Sequence, residues 1–268
     1  MAQHVLITGA SQGSGKATAL KFAKEGWDVT MTARGSDRLS TAAAQVEALG
    51  SKVLALPADV GDAEQVRSLV KQSIETFGKI DALINNAGIC LTGPMTRTTL
   101  EDWHQILNTN LWGCIHTIQA ALPSMLVRGQ GSIVNIGSFG GKMPLPQMTA
   151  YCTSKYAITG LTESLRLELT PKGIHVGIVH PGVIDSDFME RAMFRGEDDK
   201  AASDNEKQMS QALQSGLASQ PEDIAEAVWT VVEKKQSETV VGVAAIATEL
   251  NRLFPQLTQW ALAKTADS

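Results

Sequence analysis

The sequence predicts an α/β fold, a doubly wound parallel sheet in a single domain, on three observations. Short apolar runs of strand length alternate without a break with longer helical patterns. A glycine-rich loop, Gly9 to Gly15, joins the first apolar run to the first helical pattern. Chemistry-bearing residues (Asp59, Asn86, Ser138) follow directly on apolar runs, where the carboxyl ends of parallel strands line a ligand crevice.

Composition narrows the classes. The 268 residues suffice for a buried core, and the net charge of −5 with sparse aromatics gives nucleic acid no basic footprint. Three widely spaced cysteines, Cys90, Cys114 and Cys152, read as reduced thiols of a cytoplasmic protein. The histidines show no metal-ligand spacing, so no metal is expected. The chain opens on a strand, so no signal peptide is expected, and no apolar run approaches the ~20 residues a membrane helix requires.

In order, Val5–Thr8 is the first strand, and the helical pattern of Ala17, Ala19, Leu20, Phe22 and Ala23 follows the glycine loop. Glycines there let the backbone approach a pyrophosphate, whose charge suits the helix N-terminus. The second strand, Asp28–Ala33, ends without the acidic residue that would bond a ribose 2′-hydroxyl. Arg34 stands there instead, with Arg38 one turn on; a guanidinium suits a 2′-phosphate. A helix over 36–48 and a strand over 52–57 lead to Asp59 and Val60, where Asp59 is placed to accept from an adenine amino group. Asp62 and Gln65 form the start signal of a helix over 63–77.

The fourth strand, Ile80–Ile84, runs into Asn85-Asn86-Ala87-Gly88, which stiffens the crevice wall and leaves room for a ribose. Leu100 to Val127 reads as a long helix with Asn110 inside it, where a buried amide kinks a helix and holds a water. The fifth strand, Gly131–Gly137, ends at Ser138. The next helix carries Tyr151 and Lys155, four residues apart on one face, where a cation beside the phenol is expected to lower its pKa. A sixth strand, Ile174–Val179, leads to Pro181, Gly182 and Ile184. Residues 185–220 exceed an ordinary connection; their apolar start (Phe188, Met189, Met193, Phe194) reads as a cover over substrate. A helix over 221–234 and a strand over 239–247 complete a domain of residues 1–248, and 249–268 form an apolar extension.

Taken together these motifs resemble the short-chain dehydrogenase/reductase family over roughly residues 4–246: Thr8–Gly15, Asp59, Asn85–Gly88, Asn110, Ser138, Tyr151 with Lys155, and Pro181-Gly182. The resemblance implies one Rossmann domain with a seven-stranded parallel sheet. It implies Tyr151 as general acid/base, Ser138 orienting the substrate oxygen, Lys155 holding the nicotinamide ribose, and Asn110 supporting a relay water. It further implies cofactor contacts from Gly9, Ser11, Gln12, Gly13, Ser14, Gly15, Arg34, Arg38, Asp59, Val60, Asn86, Ala87, Gly88, Pro181, Gly182, Ile184 and Ser186. Arg34 resembles the NADP-preferring members. Departures from the family pattern are Ser14 for an aliphatic residue, Gln12 for a second cation, Gly137 for a second serine and Ser186 for a threonine. The expected activity is NADPH-dependent reduction of a hydrophobic ketone or aldehyde by a homodimer or homotetramer. The alternatives are a 3-oxoacyl-[acyl-carrier-protein] reductase and, from another class, a dinucleotide-sensing module without turnover.

Overall fold

The computed structural model describes residues 2–184, 192–214 and 218–266. Seven strands form one parallel sheet: β1 (His4–Thr8), β2 (Asp28–Ala33), β3 (Val53–Pro57), β4 (Ala82–Asn85), β5 (Gly131–Ile136), β6 (Ile174–His180) and β7 (Glu238–Val240). Their order is β3-β2-β1-β4-β5-β6-β7. Val5 of β1 pairs with Val29 of β2 on one side and with Ala82 of β4 on the other. The winding direction reverses between β1 and β4, which opens a crevice at their carboxyl ends.

Helices cover both faces, so the central strands are buried on both sides rather than alternating between core and solvent. On one face α1 (Gly13–Lys24), α2 (Ser36–Glu47) and α8 (Pro221–Glu233) bury Ala19, Phe22, Leu39, Val46, Val228 and Val231 against β1 and β2. Phe22 meets Trp27 and Trp229 edge-on at 5.1 and 5.2 Å between ring centroids. On the other face α3 (Ala63–Phe77), α5 (Gly113–Arg128) and α6 (Thr149–Leu169) bury Val66, Leu69, Ile118, Met125 and Leu169. As its sequence signal implies, Asp62 caps α3, accepting from the backbone N–H of Glu64 and Gln65 at 2.9 and 3.1 Å.

A buried polar chain ties the second helical layer to the sheet. The Thr117 hydroxyl donates to Asn85 at 2.6 Å, Asn85 to Asn135 at 2.9 Å, and Asn135 to Thr162 at 2.9 Å. It links α5, β4, β5 and α6, the elements that carry the site, and leaves each amide paired.

Two expectations are corrected. The helix over 100–127 is interrupted: α4 (Leu100–Leu107) and α5 flank a π turn, Asn108–Trp112. The cause is Asn110, whose side chain bonds the Ile89 backbone instead of facing solvent. The strand over 239–247 stops at Val240, and Gly242 turns the chain at φ +72° into α9 (Ala244–Leu253). Ala244, Thr248 and Asn251 are its buried face, a helical spacing that a short apolar run does not reveal. The rest of the C-terminal segment is α10 (Pro255–Ala266), broken from α9 at Pro255.

Within the segment expected to cover the substrate, Met193–Phe194 pairs in parallel with Leu91–Thr92, and α7 (Asp199–Gln214) follows. Phe188, Met189 and Ser186 lie outside the described residues. No helix among the described residues is long and apolar enough to cross a membrane.

Two histidines make the fold acid-sensitive. His4 is enclosed between the Lys79 carbonyl and the Thr30 hydroxyl, and burial lowers its pKa. Burial, with Lys235 and Arg166 adding repulsion, lowers that of His175 from 6.5 to about 4. In the unfolded chain both protonate near 6.5, so the unfolded state binds more protons between pH 6.5 and 4. Stability is therefore full above pH 6.5 and falls as pH drops toward 4. Urea unfolding at pH 7 and pH 5 should show that loss, and a His175→Gln variant should lose less; an equal loss in the variant would contradict this assignment.

Candidate active site

The glycine loop closes on the end of β4. Gly9 and Gly13 have φ of +64° and +53°, a region open to glycine at little cost. A Cβ on Gly15 would lie 2.2 Å from the Gly9 carbonyl oxygen and 2.5 Å from Asn86 Nδ2, so α1 reaches the loop only with glycine there. Asn86 donates to the carbonyls of Thr8 and Gly9 at 3.0 and 3.2 Å and accepts from Ser14 at 2.8 Å. Ser14 thus gains a partner an aliphatic residue would lack. The backbone N–H groups of Asn86 and Ala87 both donate to the Thr8 hydroxyl at 3.0 Å. Asn86 and Ala87 thus brace the loop, and Ala87 also lines the crevice.

Helix α1 opens with Gln12 at its N-cap, no capping side chain and no acidic residue in its first turn. Its N-terminal amides and dipole therefore favour an anion in front of Gly13. Beside it runs a cleft of about 380 Å³. Gly9, Ser11 and Gln12 line it from the loop; Arg34 and Arg38 from the end of β2 and from α2; Asp59, Val60, Ala87 and Gly88 from the ends of β3 and β4. Arg34 is exposed, and Arg38 donates to Gln12 at 2.8 Å. One Asp59 carboxylate oxygen accepts from the Gly61 N–H at 2.8 Å, which fixes the turn after β3.

Gly88 leads to the second cluster. A Cβ there would stand 3.4 Å from Asn110 Oδ1 and 3.6 Å from Lys155 Nζ. Lys155 Nζ donates to the Ile136 carbonyl at 2.9 Å and lies 5.8 Å from the centroid of the Tyr151 ring. The Ser138 hydroxyl acts on the Tyr151 phenol to lower its pKa, and its oxygen accepts from the Gly140 N–H at 3.1 Å. Asn110 is committed to structure: it accepts from Ile89 N–H at 2.9 Å and donates to the Ile89 carbonyl and the Ser154 hydroxyl at 3.0 and 2.9 Å. Ser154 in turn donates to the Tyr151 carbonyl at 2.7 Å. The structure thus brings Asn110, Ser138, Tyr151 and Lys155 together at the carboxyl ends of β4 and β5.

Electrostatics reverse one expectation. The Tyr151 pKa is raised, not lowered. Burial is the main cause; the Cys90 and Cys152 thiols add to it, and only the Ser138 bond opposes it. Lys155 does not offset this, because burial lowers its own affinity for a proton. Burial also pushes the Cys90 and Cys114 thiols up to about 12, so both stay neutral and inert.

Pro181 and Gly182 leave β6 beside this cluster. The Pro181 carbonyl accepts from Phe139 N–H at 2.9 Å, and a Cβ on Gly182 would lie 3.0 Å from that of Ala244. Ile184 bridges to Ser219. Sequence reasoning missed Ile89 and Thr109, which line the cleft, and Ser154, which carries Asn110 to Tyr151. Only Ser154 left a signal, its place between Tyr151 and Lys155 on the helix face.

The family model for short chain dehydrogenases matches residues 3–196. The chain is 36% identical over 191 residues to the 3-oxoacyl-[acyl-carrier-protein] reductase FabG of Staphylococcus aureus, covering 71% of this chain and 78% of that protein. It is 36% identical over 233 residues to sulfoacetaldehyde reductase 2 of Chromohalobacter salexigens, covering 85% and 88%. A short chain dehydrogenase/reductase from Burkholderia phymatum, solved in complex with NAD, superposes with a TM-score of 0.88 at 25% identity, covering 96% and 95% of the two chains. With the sheet order, the glycine loop and the Ser138–Tyr151–Lys155 cluster in place, the match over most of the chain establishes that it belongs to the short-chain dehydrogenase/reductase family of oxidoreductases.

Proposed function

We propose that the protein is an NADPH-dependent carbonyl reductase that converts a hydrophobic ketone or aldehyde to the alcohol, and the reverse. The observation that carries this reading is the contact through Gly88 between a buried Ser138–Tyr151–Lys155 cluster and a cleft edged by two arginines. The residues fit a nicotinamide dinucleotide: a cradle that tolerates no Cβ at Gly15, a helix N-terminus without an acid, and a cleft of about 380 Å³ beside it. Ala33, Arg34 and Arg38 favour the 2′-phosphorylated form, although the Burkholderia phymatum neighbour was solved with NAD.

When bound, the reduced dinucleotide supplies the hydride. The rest is done by side chains. Tyr151, kept protonated by burial, gives its proton to the substrate oxygen as that oxygen becomes an alkoxide. Ser138, its oxygen already accepting from Gly140, directs its O–H toward the same atom. Lys155, beside the Tyr151 ring, holds the ribose edge of the cleft. Asn110 fixes Ile89 in the cleft wall and the first turn of α6 through its amide, and from there supports a water in the proton relay. Of the remaining contacts, Ser186 is proposed from sequence alone.

A second reading, reduction of 3-oxoacyl groups on acyl carrier protein, draws on the FabG similarity. The C-terminal segment favours the first. Ile246, Leu250, Leu253, Leu257 and Trp260 are exposed apolar residues on α9 and α10, and α9 packs beside the turn after Ser138. We read residues 249–268 as an apolar extension of the 1–248 domain. Trp112, Val127 and Leu167, exposed on the π turn, α5 and α6, suit a homodimer or homotetramer.

Two results are expected. Tyr151→Phe should cut turnover of benzylacetone or acetoacetyl-CoA by about 10²- to 10⁴-fold while NADPH still quenches protein fluorescence; undiminished turnover would remove the mechanism. Arg34→Glu with Arg38→Glu should raise the Michaelis constant for NADPH by about tenfold or more and leave that for NADH nearly unchanged. An equal effect on both cofactors would assign the arginines a structural role. Faster reduction of benzylacetone than of acetoacetyl-CoA would favour the first reading over the second.

A further inference from the structure

We infer that His180 is a positioning residue that sets the orientation of Ser138, resting on the proposed role of Ser138 in directing a hydroxyl at the substrate oxygen. His180 is the last residue of β6 and is fully buried. Its Nδ1 lies 2.9 Å from the Ser138 carbonyl oxygen. A carbonyl only accepts, so Nδ1 carries a hydrogen and donates it. The same carbonyl accepts from the Gly141 N–H at 2.9 Å, so both its lone pairs are engaged.

On the other side of the ring, Nε2 faces Glu238 Oε1 at 3.2 Å. Glu238 is also paired with Lys142. His180, then Lys142, hold its carboxyl down to about 2. Lys142 closes the short turn, Phe139–Gly141, that begins at Ser138. The three side chains therefore form a closed bracket: from the Ser138 carbonyl through His180 and Glu238 to Lys142, four residues further along the chain.

The bracket explains Gly137. A Cβ at that position would lie 2.6 Å from His180 Nδ1 and 2.9 Å from its Cε1. The departure of Gly137 from the family's second serine is what admits the ring. Strand pairing alone does not require the bracket, because Gly137 N–H already bonds the Val179 carbonyl at 2.8 Å and Phe139 N–H the Pro181 carbonyl at 2.9 Å. Burying a polar ring against a carboxylate costs desolvation that simple strand pairing avoids. Its effect falls on Ser138, whose backbone angle sets where the hydroxyl points.

Asparagine and glutamine separate the two contacts. The amide of Asn reaches the place of Nδ1 and can keep the bond to Ser138; that of Gln reaches the place of Nε2 and keeps Glu238 only. With benzylacetone and NADPH, H180N should retain kcat within about threefold, and H180Q should lose about tenfold or more. Both should bind NADPH as wild type does. Because His180 acts through Ser138, H180Q should slow an S138A enzyme no further. H180Q at wild-type rate, H180N as slow as H180Q, or the full H180Q loss repeated in S138A would each overturn the inference. An S138A enzyme at wild-type rate would instead remove the role of Ser138 itself. Should H180Q fail to fold, Gly137→Ala carries the same expectation, since its Cβ drives into the ring; a G137A enzyme at wild-type rate overturns the inference equally.

Discussion

A phenol and an ammonium group buried side by side are the constraint on which this structure depends. Tyr151 and Lys155 are 8% and 6% exposed, and among the described residues no carboxylate is among the charges acting on either. Burial alone favours the neutral form of both. The surrounding atoms offset only part of that: the Ile136 carbonyl takes one Lys155 hydrogen, and the Ser138 hydroxyl meets the phenol. The result is a phenol held in its protonated form, close to the cleft beside the glycine loop.

The framework around it is built from polar groups that brace its loops and helices. Asn86 and Thr8 lock the glycine loop to the end of β4. Asn110 ties Ile89 to the first turn of α6 through Ser154. Asn85, Thr117, Asn135 and Thr162 bind the same helices to the sheet one layer deeper. Each amide is satisfied, so the cost of burying it is returned as fixed geometry. A small residue supplies further precision: Gly15 lets the loop and α1 approach where any Cβ would intrude.

Most of the fold was legible in the sequence because its signals are local. The strand and helix periods, the Asp62 cap and the glycine loop each report on a few neighbouring residues. Two features were not local. The π turn at Asn108–Trp112 arises from a bond between Asn110 and Ile89, 21 positions away in sequence. The end of β7 depends on Gly242 taking a positive φ, after which an apolar run of ambiguous period becomes helix. The convergence of Ser138, Tyr151, Lys155 and Asn110 in space was equally legible. The electrostatics of the site were not. A sequence shows that a lysine lies one turn from a tyrosine but not how deeply both are buried, and depth decided the sign of the Tyr151 shift. The bracket of His180, Glu238 and Lys142 joins three separate segments, and no spacing along the chain announces it.

The central claim is that burial holds Tyr151 as an acid. The chain has two tyrosines, Tyr151 and Tyr156, so labelling tyrosine Cζ with carbon-13 gives two resolvable signals. Titrated without dinucleotide, the Tyr151 signal should remain that of a phenol beyond pH 10, where an ordinary tyrosine is half ionised. A Tyr151 signal that moves to the phenolate position below pH 10 would show that Lys155 outweighs burial, and would contradict the account.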